Sequence, residues 1–136
     1  MYYNKKIIIL SGKIGSGKSY LLNILKENTD TLCFDCDKMI KNGWPKEERL
    51  QIIEKFGIAY LEKLIYPDLK LFILNTIKYS KHKAVAIEGI KAKQLFKDIM
   101  DVEIVFDVPE SIRRKRVLER GDSIKKFNYF NKLQSG

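Results

Sequence analysis

The run Ser11-Gly12-Lys13-Ile14-Gly15-Ser16-Gly17-Lys18-Ser19 contains the spacing Gly-x4-Gly-Lys-Ser, and the chemistry of that spacing is the gripping of a polyphosphate. A nucleoside triphosphate carries several negative charges on a flexible chain. A loop that holds it must bring many donors close with no side chains in the way. Gly12, Gly15 and Gly17 permit that approach of the main chain. With Lys13, Ile14 and Ser16 they would line up successive backbone N–H groups into an anion nest. The helix expected to begin near Gly17 would aim its positive end at the same phosphates. Lys18 would reach the β- and γ-phosphates, and the Ser19 hydroxyl would ligate Mg2+. ATP as nucleotide and Mg2+ as cofactor follow as expectations.

Other residues of chemical type stand at expected element ends. Asp35 and Asp37 close one strand-like run. If that stretch stays extended, side chains two apart share a face. The two acids would then position an acceptor or a Mg2+-bound water, or would merely solvate a strand end. Glu88 ends another run and could hold a Mg2+-bound water beside the phosphates, or could simply close a strand. Arg116 and Arg120 lie one helical turn apart and share a face. Their planar forks of donors suit phosphate oxygens. Arg113 and Arg114 fall elsewhere around that helix and are expected in solvent. His82 is the single histidine and reads as an exposed loop residue, which leaves no basis for a histidine-based metal or nucleophilic site. Cys33 and Cys36 have C-x-x-C spacing without a second ligand pair, so a reduced, partly buried pair is expected.

The elements that must position these residues form an alternation. Lys6-Ile7-Ile8-Ile9-Leu10 reads as a buried strand running into the glycine loop, and residues 20–26 have helical apolar spacing. Further strands are expected over 31–35, 84–87 and 102–108. Pro45 suits the first turn of a helix that Gly57 ends. Tyr60, Leu61, Leu64 and Ile65 continue at helical spacing, Pro67 interrupts, and a second helix carries Leu71, Leu74 and Ile77. Ala92, Leu95, Phe96 and Ile99 form a helical stripe, and helices are expected over 109–120 and 122–134. Short apolar strands alternating with amphipathic helices imply an α/β fold with a mostly parallel sheet of about four strands, covered on both faces. Ligands on such a sheet bind at the strands' carboxyl ends. The fold class expected is the P-loop NTPase three-layer α/β/α arrangement.

A length of 136 residues suits one domain, 1–136. At 45% hydrophobic and 32% charged residues the chain is neither disordered nor membranous. Its longest apolar runs are far short of a membrane span, and the strand that follows residues 1–6 is too short for a signal-peptide core. A cytoplasmic monomer without a membrane partner is expected. The net charge of +9 is spread along the chain and reads as solvated lysine surface. With no nucleic-acid motif present, a specific nucleic-acid partner is not expected.

The chain resembles the dephospho-coenzyme A kinases of the P-loop kinase superfamily. Its phosphate loop is similar to that family's T-G-G-I-G-S-G-K-S. Asp35-Cys36-Asp37 looks like its D-A-D, and Leu64-Ile65-Tyr66-Pro67 looks like its L-x-H-P with Tyr66 in place of His. Arg116 and Arg120 have the spacing of its R-x-x-x-R, and Gln134 falls near a family glutamine. Glu88-Gly89-Ile90-Lys91-Ala92 departs from the family's P-L-L-F-E, towards the acidic-Gly step of nucleoside monophosphate kinases. The family pattern continues past Gln134, so a short or C-terminally incomplete member is expected.

The resemblance implies transfer of a phosphoryl group from ATP to the ribose 3′-hydroxyl of dephospho-coenzyme A, the last step in making coenzyme A. On it, Asp37 would accept the hydroxyl proton, and Asp35 would help bind the acceptor. Lys18, Arg116 and Arg120 would neutralise the transferred group, the arginines from a lid at about 109–134. The acceptor would sit against about 38–82. Tyr66, Trp44 and the Phe127-Tyr129-Phe130 group could face an adenine or the pantetheine arm, although core packing is the default for each. Three alternatives stand beside this reading: a nucleoside or nucleotide kinase, a non-catalytic nucleotide-binding relative, and a basic nucleic-acid-binding module.

Overall fold

Apolar runs too short for helices become strands β1 (Lys6–Gly12), β2 (Thr31–Asp35), β3 (Ala84–Glu88) and β4 (Val102–Phe106). The computed structural model describes residues 1–135. The side chains of Phe130 and Gln134, both singled out above, lie outside the described residues. All strand pairings are parallel, in the order β2-β3-β1-β4. Parallel neighbours need crossover connections, and helices supply them. These are α1 (Lys18–Asn28) after β1, α2 (Cys36–Gly43), α3 (Lys46–Phe56) and α4 (Ile58–Tyr79) after β2, and α5 (Ala92–Phe96) after β3. Two more, α6 (Glu110–Glu119) and α7 (Ile124–Ser135), follow β4.

Alternation along the strands sorts the core into two layers. Ile7, Ile9, Phe34, Val85 and Ile87 pack with Leu69, Ile73 and Ile77 of α4 and Phe96 of α5. Leu10 and Ala86 pack on the opposite face with Leu22 of α1. The fold is therefore the expected three-layer α/β/α arrangement around a parallel four-stranded sheet. Glu88 is the register partner of both Leu10 and Asp35, so it emerges on the α1 side at the carboxyl edge. Among the described residues, no helix is long and apolar enough to cross a membrane.

The structure departs from the sequence reading in the helices and at one strand end. Pro67 does not interrupt: α4 runs through it from Ile58 to Tyr79. Proline removes the donor to the Lys63 carbonyl and crowds it, at a cost of about 3 kcal/mol. Lys63 and Pro67 are both exposed, so water can take that carbonyl. Leu61, Ile65, Leu69, Ile73 and Ile77 form a continuous buried stripe on the helix. At about 1.5–3 kcal/mol for each buried side chain, the stripe outweighs the proline. β4 stops at Phe106 rather than at Val108, because its neighbour β1 ends at Gly12, the register partner of Phe106. Replacing the exposed Pro67→Ala restores a helix donor and is expected to raise stability by about 1–3 kcal/mol. Urea unfolding checks this, and a lowered midpoint would show that the ring makes a contact worth more than the missing bond.

Candidate active site

β1 delivers the chain to the carboxyl edge of the sheet at Gly12, and α1 starts at Lys18, so the loop between them is a strand-to-helix turn. Gly15 has φ +80°, and a Cβ there would lie 2.5 Å from the carbonyl oxygen of Arg113. A side chain is thus barred by conformation and by space together. A Cβ on Gly12 would meet the Ser16 Oγ at 2.6 Å. The Ser16 hydroxyl is buried and has no hydrogen-bond partner among the described residues. Lys13 and Ser19 are exposed.

Lys18 is buried, and its ammonium donates to the Gly12 carbonyl. Its Nζ lies 3.9 Å from Oε1 of Glu88, which is also buried. Strand parity explains the meeting: Glu88 points to the face that α1 covers. Burial pushes the Lys18 ammonium below its ordinary pKa, and the nearby Glu88 and Asp37 carboxylates oppose that shift. Burial pushes Glu88 up to about 7, with Asp35 adding to the rise and Lys18 opposing it. Asp37 is raised as well, first by burial and then by Asp35. Its carboxylate accepts the Ile90 N–H, which works the other way.

The acidic pair is not extended as expected. β2 ends at Asp35, whose side chain accepts the Lys38 N–H at 3.1 Å as the N-cap of α2. Asp37 then lies in the first turn of that helix, where a carboxylate is favoured by the helix dipole. The helix turns the two acids out of the shared strand face, yet both still line the cleft. Cys33 stays on β2, half-buried, and Cys36 is buried in α2, where burial pushes its thiol well above the usual cysteine range.

These residues surround one cleft of about 830 Å3. The phosphate loop from Ile14 to Ser19, with Asp35, Asp37, Glu88, Arg116 and Arg120, forms its polar end. Ile40, Ile53, Ile58, Leu61, Ile65 and Tyr66 form an apolar extension between α2, α3 and α4. Arg116 donates to the Gly15 carbonyl at 3.3 Å. Arg120 is held by Asp122 at 2.6 Å. That exposed pair is worth at most about 1 kcal/mol, so a phosphate could displace it. Tyr66 and Tyr129 line the cleft, whereas Phe127 is core. His82 lies away from the cleft, with its Nδ1 2.7 Å from the Ser80 hydroxyl.

Arg113 is the residue that the sequence reading misplaced. It is 4% exposed rather than solvated. The signal was available: Val117, one turn further on the same face, is fully buried. Arg114 is exposed as expected and pairs with Glu110.

Among the described residues, no group of three His, Cys, Asp or Glu could hold a metal ion. Mg2+ that keeps most of its waters and takes phosphate oxygens needs no such cage. The Ser19 hydroxyl and the Glu88 carboxylate, both lining the phosphate end of the cleft, are an oxygen donor set that fits it.

A family model described as an AAA domain matches residues 8–134. The chain belongs to this AAA-domain family. The match takes in the phosphate loop, the acidic strand ends and the arginine helix together, as expected of a P-loop, kinase-like nucleotide-binding domain. A search of curated proteins found no match. Among solved structures, TT1252 from Thermus thermophilus superposes with a TM-score of 0.75 at 18% identity, over 96% of this chain and 80% of that one. A chain of the Pnkp1/Rnl/Hen1 RNA repair complex gives 0.64 at 17% identity, over 96% of this chain and 43% of that one. An uncharacterized protein from Eubacterium ventriosum gives 0.62 at 18% identity, over 96% and 72%. At these identities the likeness is one of fold.

The raised Glu88 makes stability depend on pH in a definite direction. Below its ordinary value of 4.5 the group is protonated in folded and unfolded chains alike. Between 4.5 and about 7 only the unfolded chain releases the proton, so Glu88 lowers stability as pH rises through that window. Relative to Glu88→Gln, the wild type is expected to lose up to about 1.4 kcal/mol per pH unit there and to level off above it. Urea midpoints measured across that range check this, and parallel curves for the two proteins would show an unperturbed acid.

Proposed function

We propose that this chain is an ATP- and Mg2+-dependent phosphotransferase acting on an alcohol hydroxyl, and that its acceptor is the ribose 3′-hydroxyl of dephospho-coenzyme A. The observation that carries the reaction type is the convergence of Lys18, Glu88, Asp37, Arg116 and Arg120 on one cleft at the sheet's carboxyl edge. Phosphoryl transfer asks for alignment and charge neutralisation more than for covalent chemistry. The loop amides and Lys18 would hold the β- and γ-phosphates. Ser19, and Glu88 through water, would hold Mg2+, which when bound neutralises phosphate oxygens. The acceptor oxygen forms a bond to the γ-phosphorus while the bridging bond to the β-phosphate breaks, and ADP leaves. Asp37, whose proton affinity burial has raised, would take the hydroxyl proton late in that exchange. Arg120 would release Asp122 and, with Arg116, meet the transferred group.

The acceptor assignment rests on the family resemblance and on the two-part lining of the cleft. An acceptor with an anionic nucleotide end and a long, weakly polar arm matches a polar end joined to the apolar extension of Ile40, Ile53, Ile58, Leu61, Ile65 and Tyr66. Lys38, Lys41 and Arg49 border that extension and would meet the acceptor's phosphates.

Steady-state assays with ATP and each acceptor test the proposal. Turnover of a nucleoside monophosphate with none of dephospho-coenzyme A would overturn the acceptor, and ATP binding without any transfer would overturn the reaction. Lys18→Ala is expected to abolish transfer and weaken triphosphate binding. Asp37→Asn is expected to lower kcat by about 10²- to 10⁴-fold while ATP affinity stays near that of the wild type. An unchanged kcat would remove Asp37 from the mechanism.

A further inference from the structure

Arg113 presents a chemical oddity next to the phosphate loop. It is a guanidinium almost wholly out of water. Every hydrogen-bond acceptor it has among the described residues is neutral. Its Nε donates to the Val108 carbonyl at 3.0 Å. Its Nη1 donates to the Ile14 carbonyl at 3.3 Å and to Oδ1 of Asn131 at 2.8 Å. Its flat group also lies 5.7 Å from the centre of the Phe127 ring. Burying a cation is costly unless its donors are satisfied and something is gained by its presence. The acceptors come from three separate parts of the fold: the phosphate loop, the connection after β4, and α7. The backbone of Arg113 is also the wall against which Gly15 is packed.

The bond to Ile14 has a directional consequence. A trans peptide is planar, and its C=O and N–H point to opposite sides; no cis peptide is present among the described residues. The guanidinium draws the Ile14 carbonyl towards α6, which turns the Gly15 N–H of the same peptide the other way. Anion nests work only when successive N–H groups converge, and one inverted peptide would put a carbonyl oxygen against a phosphate.

We propose that Arg113 is a positioning residue for nucleotide binding: from behind the loop it fixes the orientation of the Ile14–Gly15 peptide, so that the Gly15 N–H takes part in gripping the polyphosphate. This rests on the phosphate loop binding nucleotide, as proposed above. It assigns to Arg113 a role separate from that of Arg116 and Arg120, which line the cleft itself. The fork geometry matters as much as the charge. A lysine at this position has a single ammonium and cannot serve Val108, Ile14 and Asn131 from one plane. Asn131 is the brace of the fork, and it is in turn tied to Glu110 by its amide at 3.1 Å.

The test measures the affinity of the full chain for inorganic tripolyphosphate and for Mg-ADP by calorimetry, beside urea unfolding. Arg113→Lys keeps the charge and loses the fork. It is expected to weaken both ligands by about tenfold, the scale of one charge-assisted hydrogen bond. In the transfer assay, KM for ATP is expected to rise while KM for the acceptor stays constant. Equal loss for tripolyphosphate and Mg-ADP places the defect at the phosphates. Wild-type affinity in Arg113→Lys with a lowered urea midpoint would mean that Arg113 serves stability alone, and would overturn the proposal. So would retained affinity in Arg113→Lys with a loss confined to Arg113→Met, because charge without orientation would then suffice. Should Arg113→Lys fail to fold, Asn131→Ala removes the brace, together with its bond to Glu110, and leaves the guanidinium in place. A loss of about threefold for both ligands is expected there, and an unchanged affinity would overturn the proposal. If the wild type binds neither ligand, it is the nucleotide-binding reading that fails, an outcome distinct from any of these.

Discussion

An ammonium group leaves water only where oxygen atoms replace its hydration shell, and the polar end of this molecule is arranged around one that has done so. Lys18 is buried between the Gly12 carbonyl and the Glu88 carboxylate. Each contact calls for a particular piece of the fold. The carbonyl is available because β1 ends in a glycine loop that turns back over the start of α1. The carboxylate is available because β3 lies beside β1 in parallel register, with Glu88 beside Leu10. Take away the register or the turn, and the lysine would have to go back to solvent.

That same placement gives the cleft its electrostatic character. Glu88 and Asp37 both hold their protons more tightly than carboxyls in water, chiefly because they are buried and lie close to Asp35. Arriving phosphates would compete for Lys18 and for the arginines, and so change the balance around the acids. The arginine side is built differently from the acid side. Arg120 is exposed and lightly held by Asp122, whereas Arg113 is locked in the interior with neutral partners. One group is placed to exchange partners during a reaction, and the other is placed to stay still.

Much of the scaffold was legible along the chain, because it is set by local periods. The strand runs, apart from the last two residues of the fourth, the glycine end of α3 and the phosphate loop appeared where their residues indicated. Three features were not legible, each for a physical reason. Pro67 reads as a break because proline is costly in a helix, but Leu69, Ile73 and Ile77 beyond it pack with β1 and β3, whose residues lie far away in sequence. Asp37 reads as a strand acid because the strand before it is strong, yet Asp35 caps α2 and Asp37 lies in its first turn; that helix is only eight residues long, and its apolar positions Cys36, Met39 and Ile40 make a single turn's pattern beside the strand. Arg113 reads as solvated because it belongs to a run of basic residues. Only its four-residue spacing to Val117 hinted at the interior.

By itself, the amino-acid sequence determined which atoms can grip a polyphosphate and the kind of layered sheet that must carry them. Both are properties of a few consecutive residues: glycines without side chains, and apolar positions at a period of two or of about 3.6. Only the tertiary structure decided that Glu88 stands beside Lys18, that Asp37 faces the cleft from a helix rather than a strand, and that Arg113 is buried behind the loop. Such pairings depend on strand order, register and the packing of distant helices, and those are selected by the burial of the whole core rather than by any local spacing.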